Sequence, residues 1–224
     1  MRRLSLLAVT ALLASPALAR AQSLEDYDYE NLEFRGVGIE VGRIWPSRVE
    51  PTLSLAVRAD LGFLGPNVRI APRASYWSSS LRSSEVNELR ENLLGLCRDT
   101  GSNCLLELGE IRVSDLTLGA DAHYVFDTGA GISPYAGAGA ALHLLNGSGD
   151  VINGTFVEDL LDAIAPGIDL VGGVEVPLGD ALRLFAEARG TLSSDVRYVG
   201  LSLGGNWSFS PGASRGAASG GARR

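Results

Sequence analysis

Eight stretches of this chain alternate apolar residues with small or polar ones at a period of two. That is the signature of β-strands with one face against an apolar medium. The clearest stretch is Val196–Phe209. Val199, Leu201, Leu203, Gly205, Trp207 and Phe209 form one set there, and Tyr198, Gly200, Ser202, Gly204, Asn206 and Ser208 the other. Strand one is expected over Glu33–Trp45, with Val37, Ile39, Val41 and Trp45 opposed to Gly36, Gly38, Glu40 and Gly42. Arg43 breaks its apolar face near the end, where a long side chain can snorkel to headgroups. Strand two, Thr52–Phe63, sets Leu53, Leu55, Val57 and Leu61 against Ser54, Arg58, Asp60 and Gly62. Strand three, Val68–Ser78, contains Pro72, which forfeits a ladder hydrogen bond and predicts a bulge or kink. Strands four to seven are expected at Ile111–Phe126, Ile132–Leu145, Gly167–Val176 and Leu182–Gly190.

The connections differ in length. Gly65-Pro66-Asn67, Asp127-Thr128-Gly129 and Leu178-Gly179-Asp180 are tight turn signals. Pro46–Pro51 and Thr191–Asp195 are short loops, whereas Leu81–Glu110 and Asn146–Ala165 are long. Glu85–Cys97 reads as an amphipathic helix through Val86, Leu89, Leu93 and Leu96, with Ser84 as N-cap. Phe156, Val157, Leu160, Leu161 and Ile164 suggest a second short helix.

The N-terminus changes the picture. Arg2 and Arg3 precede an apolar run, Leu4–Leu13, and small residues at Ala17, Ala19 and Ala21, as in a secretory signal peptide. Cleavage is expected after Ala21, with Ala19 as the alternative. Residues 22–32 are an acidic lead-in on the periplasmic side, and 210–224, rich in Gly, Ala, Ser and Arg, a disordered tail. The apolar run is shorter than the ~20 residues of a spanning helix, so a mature protein that crosses a membrane must do so as a closed barrel over residues 33–209. Three features favour a membrane barrel. Short connections alternate with long ones. Aromatics fall toward both strand ends, with Phe63, Tyr124, Phe126, Tyr135, Trp207 and Phe209 at one and Trp45, Tyr76, Trp77 and Tyr198 at the other. The face opposite the apolar one carries charges of both signs: Glu40, Asp60, Asp121, Asp169, Glu175 and Glu187 with Arg58, Arg73, Arg183 and Arg189. An eight-stranded barrel is just wide enough for side chains to fill, so paired acids and arginines would plug it.

Within the last strand, Ser202-x-Gly204-x-x-Trp207-x-Phe209 resembles the closing-strand signal of small bacterial outer-membrane β-barrels. ISPYAGAGAALHLL (132–145) and LFAEARG (184–190) also look like strands of that family. The resemblance covers about Glu33 to Phe209. It implies an all-β, eight-stranded, antiparallel up-and-down transmembrane barrel with short helices in its outer loops. It further implies residence in the outer membrane of a Gram-negative bacterium, contact with outer-membrane lipid, and recognition of Ser202, Gly204, Trp207 and Phe209 by the barrel assembly machinery.

Charge and chemistry narrow the role. Without residues 1–21 the 19 basic residues fall to 16, against 26 acidic, a net charge of −10. Every basic residue is Arg, no basic patch emerges, and nucleic acid is excluded as a partner. In an exported chain Cys97 and Cys104 are expected to form a disulfide, contributing ~2–3 kcal/mol on the chain-entropy model. Two cysteines without a nearby His make no metal site, and no cofactor is expected. His123 and His143 share the inward face and read as polar core. No Ser/His/acid spacing marks a triad, so no enzyme is expected, the sharper alternative being a lipid-modifying enzyme using one of them as a base. The expected role is structural or surface-binding, with a possible surface ligand held by loops 81–110 and 146–165. The alternatives are a narrow pore for small solutes and a soluble lipocalin-like binder with its apolar faces turned inward.

Overall fold

Every backbone N–H and C=O in a strand needs a partner, and a sheet leaves its two edges unpaired unless it closes on itself. This chain closes. The computed structural model describes residues 32–99, 109–150, 154 and 162–209. Its elements are β1 (Gly36–Pro46), β2 (Thr52–Asp60), β3 (Phe63–Gly65), β4 (Val68–Ser80), α1 (Ser83–Asp99), β5 (Arg112–Val125), β6 (Ser133–Ser148), β7 (Ala163–Pro177), β8 (Leu182–Ser193) and β9 (Arg197–Ser208). Apart from β2 and β3, consecutive strands pair antiparallel, and β1 pairs with β9 from Gly36↔Ser208 to Pro46↔Tyr198. β2 and β3 both lie on β4 and are two pieces of one broken strand, so the barrel has eight strands.

The break in strand two is the main departure from the expected Thr52–Phe63. Between Arg58↔Arg73 and Phe63↔Arg69, five steps on one strand cover four on the other. Pro72 sits in that gap, where its missing N–H costs the ladder nothing, and stays in register with Ala120 on β5. The kink that Pro72 predicts is therefore taken up by the facing strand. There Gly62 adopts a left-handed φ of 79°, and its N–H donates to Asp60 Oδ1 at 2.8 Å.

Other strands outrun their side-chain pattern. β6 continues to Ser148 because Asn146, Gly147 and Ser148 pair with Ser114, Val113 and Arg112. β7 starts at Ala163 rather than Gly167, and β8 continues to Ser193, whose N–H donates to Val196 O at 2.9 Å. Backbone pairing does not require apolar alternation, so polar strand ends are missed by a hydropathy reading. Ile164, assigned above to a loop helix, is in β7 and 71% exposed. The expected helix is present as α1, with Ser84 inside its first turn rather than capping it.

Alternation fixes the faces. β1 alternates buried and exposed along its whole length. Outward positions such as Leu53, Leu55, Leu203 and Ile168 are 57–66% exposed, while inward Glu40, Arg58 and Glu187 are 3–5% exposed. The apolar faces thus look out, which excludes the lipocalin-like arrangement. Not every strand-end aromatic joins the outer belt. Trp77, Tyr135 and Tyr198 are 3%, 2% and 7% exposed and point into the barrel, because each shares parity with the polar set of its strand. Trp45, Tyr76, Tyr124, Phe126, Trp207 and Phe209 do lie on the outer surface.

Candidate functional site

The barrel interior holds nearly all the chemistry of the described residues, arranged in levels from the turn end to the loop end. At the turn end Glu175 of β7 accepts from Arg69 Nη1 at 2.8 Å and from Asn206 Nδ2 at 3.2 Å, with Arg183 Nη1 at 3.8 Å. Arg69 also lies 3.4 Å from His123 Nδ1, and the His123 ring stacks on Tyr135 at 4.9 Å.

In the middle, Arg58 of β2 donates Nη1 to Glu187 Oε2 at 3.1 Å and Nε to Asn206 Oδ1 at 3.0 Å. Its guanidinium lies 3.4 Å from the centroid of the Phe185 ring. Glu187 accepts as well from Tyr135 Oη at 2.8 Å and from Arg189 Nη2 at 2.9 Å. Arg189 is the hub. It grips Asp121 with two bonds, at 2.7 and 3.1 Å, and reaches Asp169 at 2.9 Å. The planar fork of Arg suits such multidentate contact.

Toward the loop end, Arg73 donates Nε to Glu40 Oε1 at 2.8 Å and Nη1 to Ser75 Oγ at 2.9 Å. Asp115 Oδ2 receives Trp77 Nε1 at 3.1 Å and Thr117 Oγ1 at 3.1 Å, with His143 Nδ1 at 2.8 Å. Buried ions survive only when paired and hydrogen-bonded, and each carboxylate of these levels accepts at least one hydrogen bond, although Glu40 Oε2 and Asp115 Oδ1 accept none. Small residues make room for them. Gly204 faces Phe185 across β8 and β9, and a Cβ at Gly204 would stand 2.3 Å from Phe185 Cζ.

An apolar lid closes the loop end. Ile44, Val49, Trp77, Val113, Val196 and Tyr198 form a buried cluster with Leu81 and Leu145 against it. Above it, Leu93 of α1 packs on Ile111, with Val86 and Leu89 alongside. Arg82 ties the helix base to the neighbouring loop, donating to Val49 O at 3.0 Å and Pro46 O at 2.9 Å. Beneath the lid residues Ile44, Trp77 and Tyr198, a cavity lined by Ser54, Arg73, Ser75, Arg189 and Ser202 has about 20 Å³ of space, a little more than the ~10–15 Å³ that a single water needs.

Of the expected interior charges, Glu40, Arg58, Arg73, Asp121, Asp169, Glu175, Glu187 and Arg189 meet in this network. Asp60 does not; it is half-buried and caps the turn at Gly62. Arg183 lies at the turn end with its side chain 26% exposed. Arg69, Asp115 and Asn206 belong to the network and are absent from that set. Strand parity was the signal for all three, since Arg69 shares a face with Arg73, Asp115 with Thr117, and Asn206 with Ser208. His123 and His143 are fully buried. On β9, Ser202 lines the cavity and Trp207 is 40% exposed; Phe209, just past its end, meets Phe34 with ring centroids 5.5 Å apart. The signal peptide, residues 22–31 of the lead-in, the tail, the Cys97–Cys104 pairing and the loop helix over Phe156–Leu161 lie outside the described residues.

An ionic, filled interior under an outward apolar belt defines a class. This is the fold of the small eight-stranded outer-membrane β-barrels. Among solved structures, the chain is similar to Neisserial surface protein A, at 17% identity and a TM-score of 0.54 over 78% of this chain and 96% of that one. The N-terminal β-barrel domain of Pseudomonas aeruginosa OprF matches at 15% identity and a TM-score of 0.46, over 79% of this chain and 98% of that one. Ail, the attachment invasion locus protein of Yersinia pestis, matches at 12% identity and a TM-score of 0.42, over 80% and 100%. No protein-family model matches the sequence, and no curated protein matches it.

Proposed function

We propose that this protein resides in the outer membrane of a Gram-negative bacterium as an integral barrel, exported by residues 1–21, with a structural or surface-binding role and a plugged interior. The observation that carries the reading is the continuous outward belt that includes Val37, Ile39, Leu55, Val57, Leu118, Leu170, Leu184 and Leu201. Soluble monomers rarely expose apolar patches beyond ~300–600 Å², and here the belt runs along every strand. The working parts are then the connections at the loop end, 81–110 and 149–162, to which α1 belongs. Ser202, Gly204, Trp207 and Phe209 serve the assembly machinery in this reading, with Trp207 and Phe209 presented on the outer face of the last strand.

The test is fractionation of the expressed full chain. The protein is expected in the outer-membrane fraction, migrating faster on a gel when unheated than when boiled. Recovery as a soluble periplasmic protein overturns the proposal.

A further inference from the structure

Eight arginines lie in the described strands, and six have a carboxylate within 4 Å: Arg58, Arg69, Arg73, Arg112, Arg183 and Arg189. The two without one are Arg43 of β1 and Arg197 of β9. Both are exposed, and both sit at outward positions, on the face that along most of each strand is apolar.

They also sit together. β1 and β9 are paired strands, with Arg43 opposite Leu201, Trp45 opposite Val199, and Ser47 N–H donating to Arg197 O at 3.0 Å. Arg43 and Arg197 therefore bracket the Trp45–Val199 pair from below and above. Four residues of strand separate their levels, ~13 Å at ~3.3 Å per residue, a gap that two extended arginine side chains can close over the Trp45 ring. The surroundings are apolar: Leu53 across β2 is 66% exposed, Val199 59% and Leu201 55%. Asp195, the acid nearest Arg197 in sequence, instead accepts from Ser194 Oγ at 2.6 Å.

A charged Arg on a barrel's lipid face costs ~2–4 kcal/mol at the bilayer midplane and ~0–1 near the interface. Arg43 lies within the last turns of strand at the loop end, beside an interfacial-type Trp, where that cost is small. Guanidinium groups match phosphate oxygens two bonds at a time. We infer that Arg43 and Arg197, with Trp45 between them, clamp the phosphate of a lipid headgroup in the leaflet at the loop end of the barrel. This rests on the membrane reading above and adds the site on the barrel wall and the lipid chemistry it selects. A headgroup ending in a phosphate monoester, with the most charge and the most free oxygens, is the preferred occupant.

The test uses the full mature chain folded into phosphatidylcholine vesicles doped with phosphatidic acid, then extracted in detergent for native mass spectrometry. Insertion is checked first by the shift in gel mobility on heating. The wild-type protein is expected to retain phosphatidic acid about tenfold over phosphatidylcholine, a difference near 1.4 kcal/mol. The double substitution Arg43→Gln/Arg197→Gln is expected to insert normally and lose that preference, while Arg90→Gln, on an exposed position of α1, keeps it. Equal retention by wild type and the double variant, both inserted, overturns the clamp and leaves the membrane reading standing. Loss in the Arg90→Gln control overturns it as a general effect of charge. Removal of the preference by millimolar inorganic phosphate overturns it as a free-anion site. Failure of the wild-type chain to insert overturns both readings.

Discussion

At the scale of single residues, Arg189 decides the most. One guanidinium holds three buried carboxylates together, those of Asp121, Asp169 and Glu187. Removing one partner of a buried ion pair costs ~3–5 kcal/mol, because the other charge stays buried and unpaired. Arg189→Met is therefore expected to lower the stability of the folded barrel by about that amount, read as a drop in the urea midpoint of refolding into vesicles. Arg112→Met, at an exposed pair with 3.6 Å between the ions, is expected to change it by less than ~1 kcal/mol. Gly204 is constrained from both sides, since its added Cβ would meet Phe185 Cζ at 2.3 Å and Ile39 O at 2.4 Å. Gly204→Ala is expected to cost ~1–3 kcal/mol by overpacking. Phe185→Ala will not fully restore stability in that background, because the backbone contact with Ile39 remains. A glycine in the closing-strand pattern thus has a packing reason that stands apart from any recognition of the strand.

At the scale of elements, pairing and packing can be separated. α1 stays on the barrel mouth through Leu93 on Ile111 and the Arg82 tether, not through strand hydrogen bonds. Leu93→Ala, a loss of ~2–5 kcal/mol at a buried site, is expected to speed amide exchange along α1 while leaving β5 and β6 protected. Equal acceleration in those strands would mean that helix and barrel open as one unit. Most strands were legible from alternation because one face is apolar and the other is not. Their ends were not: Asn146–Ser148 pair through backbone groups that any residue carries. The break at Asp60–Phe63 was foreshadowed by Pro72, yet the sequence placed it on the wrong strand, because a proline shows where a hydrogen bond is missing and not which partner yields.

At the scale of the whole molecule, the interior is full. The Arg69–Glu175, Arg58–Glu187 and Arg189–Asp121 levels succeed one another, and the Trp77–Tyr198 lid lies above them. In planar bilayers the protein is expected to give no conductance above that of lipid alone; discrete steps would show that the ion pairs part. What the sequence by itself determined is the strand count, the antiparallel order and which face of each strand is ionic, since period-two alternation is a local property that each strand states for itself. Partners across the barrel are another matter. Arg58 and Glu187 are 129 residues apart, and Arg69 and Glu175 are 106 apart. Only closure between β1 and β9 sets the tilt and stagger that bring such groups within hydrogen-bond reach. The same closure sets Arg43 beside Arg197 on the outer wall, a neighbourhood that no reading of either strand alone contains.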